Sequence, residues 1–473
     1  MRPALLFLLL IPAIVLSQTQ YTFDEDAFYN AKTDIVHSSD GKPINGILNT
    51  VFGWQTPYKN GKKDGVAKRY NENGKIEEEV SYKNGELEGM GRQYHKNGKI
   101  ERETPYKDGK QDGVEKLYYE SGKIRREAPY KDGKLEGVEK WYYKSGKIEE
   151  EIPYKNDEPE GVRKRYRENG KVRRETPYKD GKLEGVEKLY YESGKIAEEN
   201  SYKNDRREGM ERRYYESGTI ETEILYENGK PKGMGKRYYE NGKIKAEIPH
   251  INGTKEGVEK WYYMSGKIEA EIPHIDDKQE GVEKQYYENG KIKAEIPHKN
   301  DEIEGIGRWY YESGKIAVEV PHKNGKKDGL AKQYYESGKI ATEALYKNGK
   351  LEEVEKRYYE SGKIEYKIPY KNGKIEGTKK QYYESGKIKA EIPHKNGKIE
   401  GVGRWYYESG KILIEALHKN GKADGLAKQY YESGKIAIET PYKNGQMDGV
   451  AKRYDEDGKI LSETLLEDGK ALN

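Results

Sequence analysis

The sequence predicts an all-β protein, an elongated antiparallel array of β-hairpin repeats in a single twisted or curled sheet. Three observations carry this prediction. One fixed period runs without insertion or deletion from Gly65 through Gly89 and Gly113 to Gly449, and glycine marks every copy but the one at Glu353. Glycine or proline interrupts each copy every several residues, which no stable helix tolerates. Between the interruptions lie β-branched and aromatic residues, including most of the 44 tyrosines.

The elements follow in chain order. Met1 and Arg2 open the chain, and Pro3 to Leu16 is an unbroken apolar run. Val15 and Ser17, at the −3 and −1 positions of a cleavage site after Ser17, complete the pattern of a cleaved secretory signal peptide over 1–17, too short for a membrane span. Residues 18–57 hold three of the four Phe and lack the repeat, so they are expected to form an N-terminal cap. Residues 58–473 are seventeen 24-residue hairpin repeats, the last of which, with Leu461, Leu465 and Leu466, reads as a C-terminal cap.

Within a copy we count from its first glycine as position 0. Pairs such as Asn73-Gly74, Ser265-Gly266 and Asn289-Gly290 are expected to form a two-residue hairpin turn. Stretches such as Lys347 to Lys350 turn the chain toward the next copy. The register that follows sets position 3, always Lys or Arg, against position 14, Glu in sixteen copies. Each such pair contributes roughly 0.2–1 kcal/mol, less if solvated. The same register sets the position-6 Tyr against the position-11 Ile on the other face. The copy 353–376 breaks two rules, with Glu353 for glycine and Lys367 for Glu. It is expected to be the least protected hairpin inside the array, because Lys367 would face Lys356.

Composition narrows the function. With 36% charged and 33% hydrophobic residues the chain resembles a disordered one, but its net charge is only +4 and it is rich in Tyr. The absence of Cys excludes disulfides, thiol catalysis and Cys-ligated zinc. Basic and acidic residues alternate, so no nucleic-acid footprint is expected. The carboxylates recur copy after copy opposite a cation, which marks a structural column; no catalytic residue is assigned. Six of the eight His, His250 to His418, share position 17 with Tyr. Neighbours in that column stand about 9.6 Å apart and cannot share one ion. No metal site and no cofactor are expected. Asn252-Gly253-Thr254 is a glycosylation sequon.

The pattern Tyr-Tyr-Glu-Ser/Asn-Gly-Lys, then Glu-x-Pro-Tyr-Lys-Asn-Gly-Lys-x-Glu-Gly, resembles MORN repeats, and more closely the variant in bacterial YwqK-like antitoxin-component proteins. The resemblance covers about residues 56–473. It implies β-hairpins in an elongated sheet and roles in scaffolding, protein binding or lipid contact.

The candidate binding surface is aromatic. Trp141, Trp261, Trp309 and Trp405 all occupy position 4, where other copies carry Arg, Gln or Leu. Tyr143, Tyr263, Tyr311 and Tyr407 lie two residues on. A variable position on an invariant scaffold can set specificity. Filling the interior of a curled sheet is the competing role for these tryptophans. Residues 305–350 closely match 401–446, a block duplication that suits a scaffold better than a single active site. The leading expectation is an exported, non-enzymatic protein, secreted, periplasmic or on the cell surface, that binds a protein or surface partner along its sheet. It would touch no nucleic acid and span no membrane. The alternatives are a carbohydrate or anionic-lipid binder using Tyr/Trp/Lys rows, and an antitoxin-like or immunity protein.

Overall fold

A computed structural model describes residues 19–22 and 26–471, all-β and without helix. The expected signal peptide lies outside the described residues. The chain divides into two compact units between Lys230 and Pro231. Within each unit successive strands pair in chain order, antiparallel along the repeats, and among the described residues no pairing closes them into a barrel.

The first unit opens with a different arrangement. Gln20–Thr22 pairs in parallel with Gly46–Asn49, which pairs antiparallel with Trp54–Lys59. A separate hairpin, Ala27–Asn30 with Ile35–Ser38, covers them. Ala27, Val36, Ile44 and Leu48 form an apolar core against Tyr21 and Tyr58. Gly61 is held so closely there that a Cβ would lie 2.2 Å from Ile35 Cγ2. Trp54–Lys59 spans the expected 57/58 boundary and already pairs with Gly65–Tyr70 in the repeat register.

The cation–carboxylate register is present. In the hairpin of Gly257–Tyr262 with Ile268–Ile275, Lys260 faces Glu271, and the same pair recurs from Lys68–Glu79 to Lys452–Glu463. The turn that produces it differs from expectation. Tyr263 N–H donates to Lys267 O (2.9 Å) and Gly266 N–H donates to Tyr263 O (2.8 Å). Only Gly266 has positive φ, at +90°. This is a three-residue loop ending in a G1 bulge, not a two-residue turn. The loop shifts the nearby pairing by one residue, so Tyr262 at position 5 faces Ile268 and the expected position-6 partner is wrong. A bulge between Trp261 and Tyr262 then restores the register that joins Lys260 to Glu271.

The two-residue turn lies at the other end of the copy. At Asn348-Gly349 both residues have positive φ, +48° and +81°, as a type I′ turn requires. Four copies place Asp where this glycine stands, at φ +65° to +71°. Each of those aspartates accepts a backbone N–H from the previous copy, as Asp301 does from Gln279 at 2.8 Å. That bond offsets part of the left-handed strain.

The irregular copy has its own logic. Most position-0 glycines sit near φ +110°, as Gly377 does at +107°, beyond reach of an L-residue. A Cβ on Gly329 would meet Pro321 Cγ at 2.8 Å. Glu353 instead follows Leu345 where most copies have Pro, and adopts φ +59°, which L-residues reach at modest cost. Its strand Lys350–Tyr358 runs uninterrupted, with Leu345 paired to Glu352. Lys367 does face Lys356, and on its other side faces Lys380. We expect Lys367→Glu to restore the column and slow exchange of the Val354 to Tyr358 amides, by about 1 kcal/mol. Unchanged exchange would show that the column carries no stability.

Candidate functional site

The two faces of the sheet have different chemistry. Side chains alternate along a strand, so positions 2, 4, 13, 15 and 17 share one face and positions 1, 3 and 14 the other. On the second face, tyrosines at position 5 donate to the position-14 carboxylate of the previous copy, from Tyr94–Glu79 (2.7 Å) to Tyr454–Glu439 (2.8 Å). Burial and this bond push most of these phenols up to about 12, as at Tyr262 and Tyr286.

The first face holds the tryptophans and a row of buried carboxylates. Glu187 is 2% exposed, held by Arg174 and by Thr176 Oγ1 at 3.0 Å. Glu259 accepts from the Trp261 indole N–H at 2.7 Å and from Lys255 Nζ at 2.9 Å. Burial alone would raise the Glu259 carboxyl, but these donors hold it below the usual carboxylate range. His298 Nε2 lies 3.1 Å from Glu283, while His322 Nδ1 lies 2.9 Å from the Val320 carbonyl. His298 and His322 are thus bonded within the sheet, and burial lowers His250 and His322.

The four tryptophans are all half-buried on this face, but their surroundings differ. Trp141 lies under two guanidinium groups, with Arg126 5.3 Å and Arg125 5.9 Å from its ring centre. Trp309 folds over Gly307, where a Cβ would come within 2.9 Å of the indole. Trp405 covers Gly403 similarly and lies 6.5 Å from the His418 ring. Trp261 and Tyr263 line a cavity of about 300 Å³ with Ala270, Ile272 and Gln285. Trp405 lines one of about 340 Å³ with Ile414, Ala416, Ala427 and Tyr442. A third, of about 450 Å³, has Val318, Ala344, Gln333 and Arg357 in its wall; Trp309 is not in that wall, although Val318 faces it in the sheet.

The tyrosines named with them are tied into the array. The hydroxyls of Tyr143, Tyr263 and Tyr311 donate to the carbonyls of Tyr166, Tyr286 and Tyr334, all at 2.6 Å, and Tyr407 donates to Tyr430 at 2.8 Å. Where this column lacks Tyr, Arg167 donates to Tyr190 O at 2.8 Å and His95 Nε2 lies 3.0 Å from Tyr118 O. The contact is a rung between copies, and Tyr263 also lines a cavity.

Sequence reasoning missed Gln285 and Gln333, which line two of these cavities. A signal was present. Trp261, Trp309 and Trp405 are each followed one repeat on by Gln, whereas Trp141 is followed by Arg165. A shorter, neutral side chain beside the indole leaves the space open. Arg165 instead joins Arg163 on Glu150, at 2.5 and 2.6 Å.

A family model described as the MORN repeat variant matches seventeen times, from residues 63–84 to 447–468. The chain belongs to the MORN repeat variant family. In this MORN repeat protein sixteen matches are equal in length, and the thirteenth is shortened to 354–372, beginning just after Glu353. The YwqK-like label has no such match. No curated protein matches the chain. Among solved structures it is similar to the Photorhabdus luminescens Tc holotoxin pore with the TccC3-D651A mutation, at 12% identity and TM-score 0.14, over 91% of this chain and 27% of that one. It is also similar to TcdB2-TccC3-Cdc42, at 12% identity and TM-score 0.13, over 92% and 28%. The chain spans just over a quarter of those chains, and scores this low carry no structural argument.

Proposed function

We propose that this MORN repeat protein is an exported, non-enzymatic scaffold that binds a protein or cell-surface partner along the tryptophan face of its sheet. The single observation that carries the reading is the set of cavities in the second unit. Trp261 and Trp405 each border a cavity floored by Ala and Ile, and a third stands beside Gln333. Elsewhere on both faces the polar side chains named above bind one another. Apolar-floored cavities with a few polar walls suit side chains of a partner. Export rests on the N-terminal apolar run alone.

The test is affinity capture from the native surface, followed by titration of the captured partner. Trp261→Gln/Trp405→Gln should bind about 100-fold more weakly or worse, as loss of two anchors implies. Gln already occupies this position in Gln285 and Gln429, so the sheet should fold. Trp141→Gln, which borders none of the three cavities, should bind as the parent does. Equal binding by all three, or equal loss in Trp141→Gln, would remove the site.

A further inference from the structure

We infer a second binding surface, independent of the tryptophan face: a ladder of lysine pairs along the type I′ turns of the second unit, fitted to a linear acidic polysaccharide. Five consecutive copies place Lys directly opposite Lys across the turn, from Lys323–Lys326 to Lys419–Lys422. Like charges directly opposite are destabilising in a hairpin. All ten ammonium-bearing residues are exposed, and among the described residues none of them forms an ion pair. The lysines at position 3 behave differently, since Lys380 pairs with Glu391 at 2.8 Å. The carboxylates closest in sequence are engaged with the turns: Glu376 and Glu400 accept the Asn396 and Asn420 backbone N–H groups at 2.6 and 2.7 Å.

The ladder is sharply bounded. Its five turns all begin with Asn, so no acid sits between the lysines. Before it, the turns carry Asp276-Asp277 and Asp301, and after it Gln446 replaces the second lysine. In the first unit the corresponding turns at Asp108, Asp132 and Asp180 are partly neutralised. The second unit therefore presents five doubly charged steps, about 9.6 Å apart and roughly 40 Å end to end.

The geometry selects among polyanions. Strands rotate by about 20–25° each, so successive steps turn by about 40–50° and a flat membrane meets only part of the ladder. A flexible chain can follow it. No aromatic residue lies within these Lys-Asn-Gly-Lys turns, so nucleic-acid bases would find no stacking platform there. Lysine is a point charge that suits carboxylate or sulfate groups without demanding one orientation. A carboxylated or sulfated polysaccharide satisfies all three conditions.

The experiment titrates heparin and polygalacturonate onto the full chain over a range of salt. In the ladder variant Lys347, Lys350, Lys371, Lys374, Lys395 and Lys398 become Gln. In the control Lys59, Lys62, Lys107, Lys110, Lys179 and Lys182 become Gln, an equal change in net charge. The ladder variant should bind at least about 30-fold more weakly and with a shallower salt dependence, since fewer counterions are displaced. The control should stay within about twofold, since it leaves those contacts in place. The ladder variant should also unfold no earlier than the parent, because its repulsive pairs are gone. Equal loss in both variants, or no binding by the parent, would overturn the proposal. So would tighter binding to phosphatidylserine vesicles or single-stranded DNA than to either polysaccharide.

Discussion

Replacing Arg126 with methionine should destabilise the neighbouring hairpins by about 3–5 kcal/mol, because it strands buried carboxylates. Arg126 bridges two copies. Its Nη1 donates to Glu115 at 3.1 Å and its Nε donates to Glu139. The side chains are 17%, 6% and 5% exposed, so water replaces little of what is lost. Hydrogen exchange across Gly113–Tyr118 and Ile124–Lys131 measures the loss locally, which suits an array whose copies open separately. Adding Glu115→Gln and Glu139→Gln to Arg126→Met should recover most of the stability, because no charge then remains buried. A loss below about 1 kcal/mol, or no recovery in the triple variant, would show that these charges are solvated and the array gains nothing from pairing them.

Alkaline pH should dissolve the second face. Eleven position-5 tyrosines, from Tyr94 to Tyr430, have phenols pushed up to about 12 by burial and by donation to a carboxylate. Their folded values lie above the ordinary value of about 10, so the folded state holds protons that the unfolded state has released. Stability is therefore full below pH 10 and falls progressively between pH 10 and 12. Because the rungs repeat, the loss is cumulative and strand content should collapse within that window. Phenolate absorbance followed beside circular dichroism tests this. The ladder phenolates should appear together with loss of strands. Ionisation of those tyrosines near pH 10 with the sheet intact would show that the Tyr–Glu rungs carry no weight.

Much of this was legible in the order of residues. The facing of Lys260 and Glu271 was readable because both positions repeat in nearly every copy and only one register joins them. The Lys356–Lys367 clash followed from the same register. The reason Glu353 is tolerated was not legible, since it lies in the backbone, which adopts φ +59° here where most copies stand near +110°. The tryptophan environments were hidden too. Trp141 and Trp261 have identical neighbours from Gly to Tyr within their copies. What separates them stands on the adjoining strands: Arg126, Glu150 and Arg165 around Trp141, and Ala246, Ala270 and Gln285 around Trp261.

The sequence alone determined the period, the hairpin, the cation–carboxylate pairing and the family, because each is a pattern of residue types at fixed spacing. Only the tertiary structure decided which Asn-Gly or Ser-Gly step is the type I′ turn. Both carry a glycine that can take positive φ, and the distinction lies in whether its partner joins it there, as Asn348 does and Ser265 does not. It also decided which phenols are rungs and which tryptophans border open space. Those outcomes depend on side chains from adjoining copies, in contact across the sheet but a full repeat apart along the chain, and no local pattern specifies such contacts.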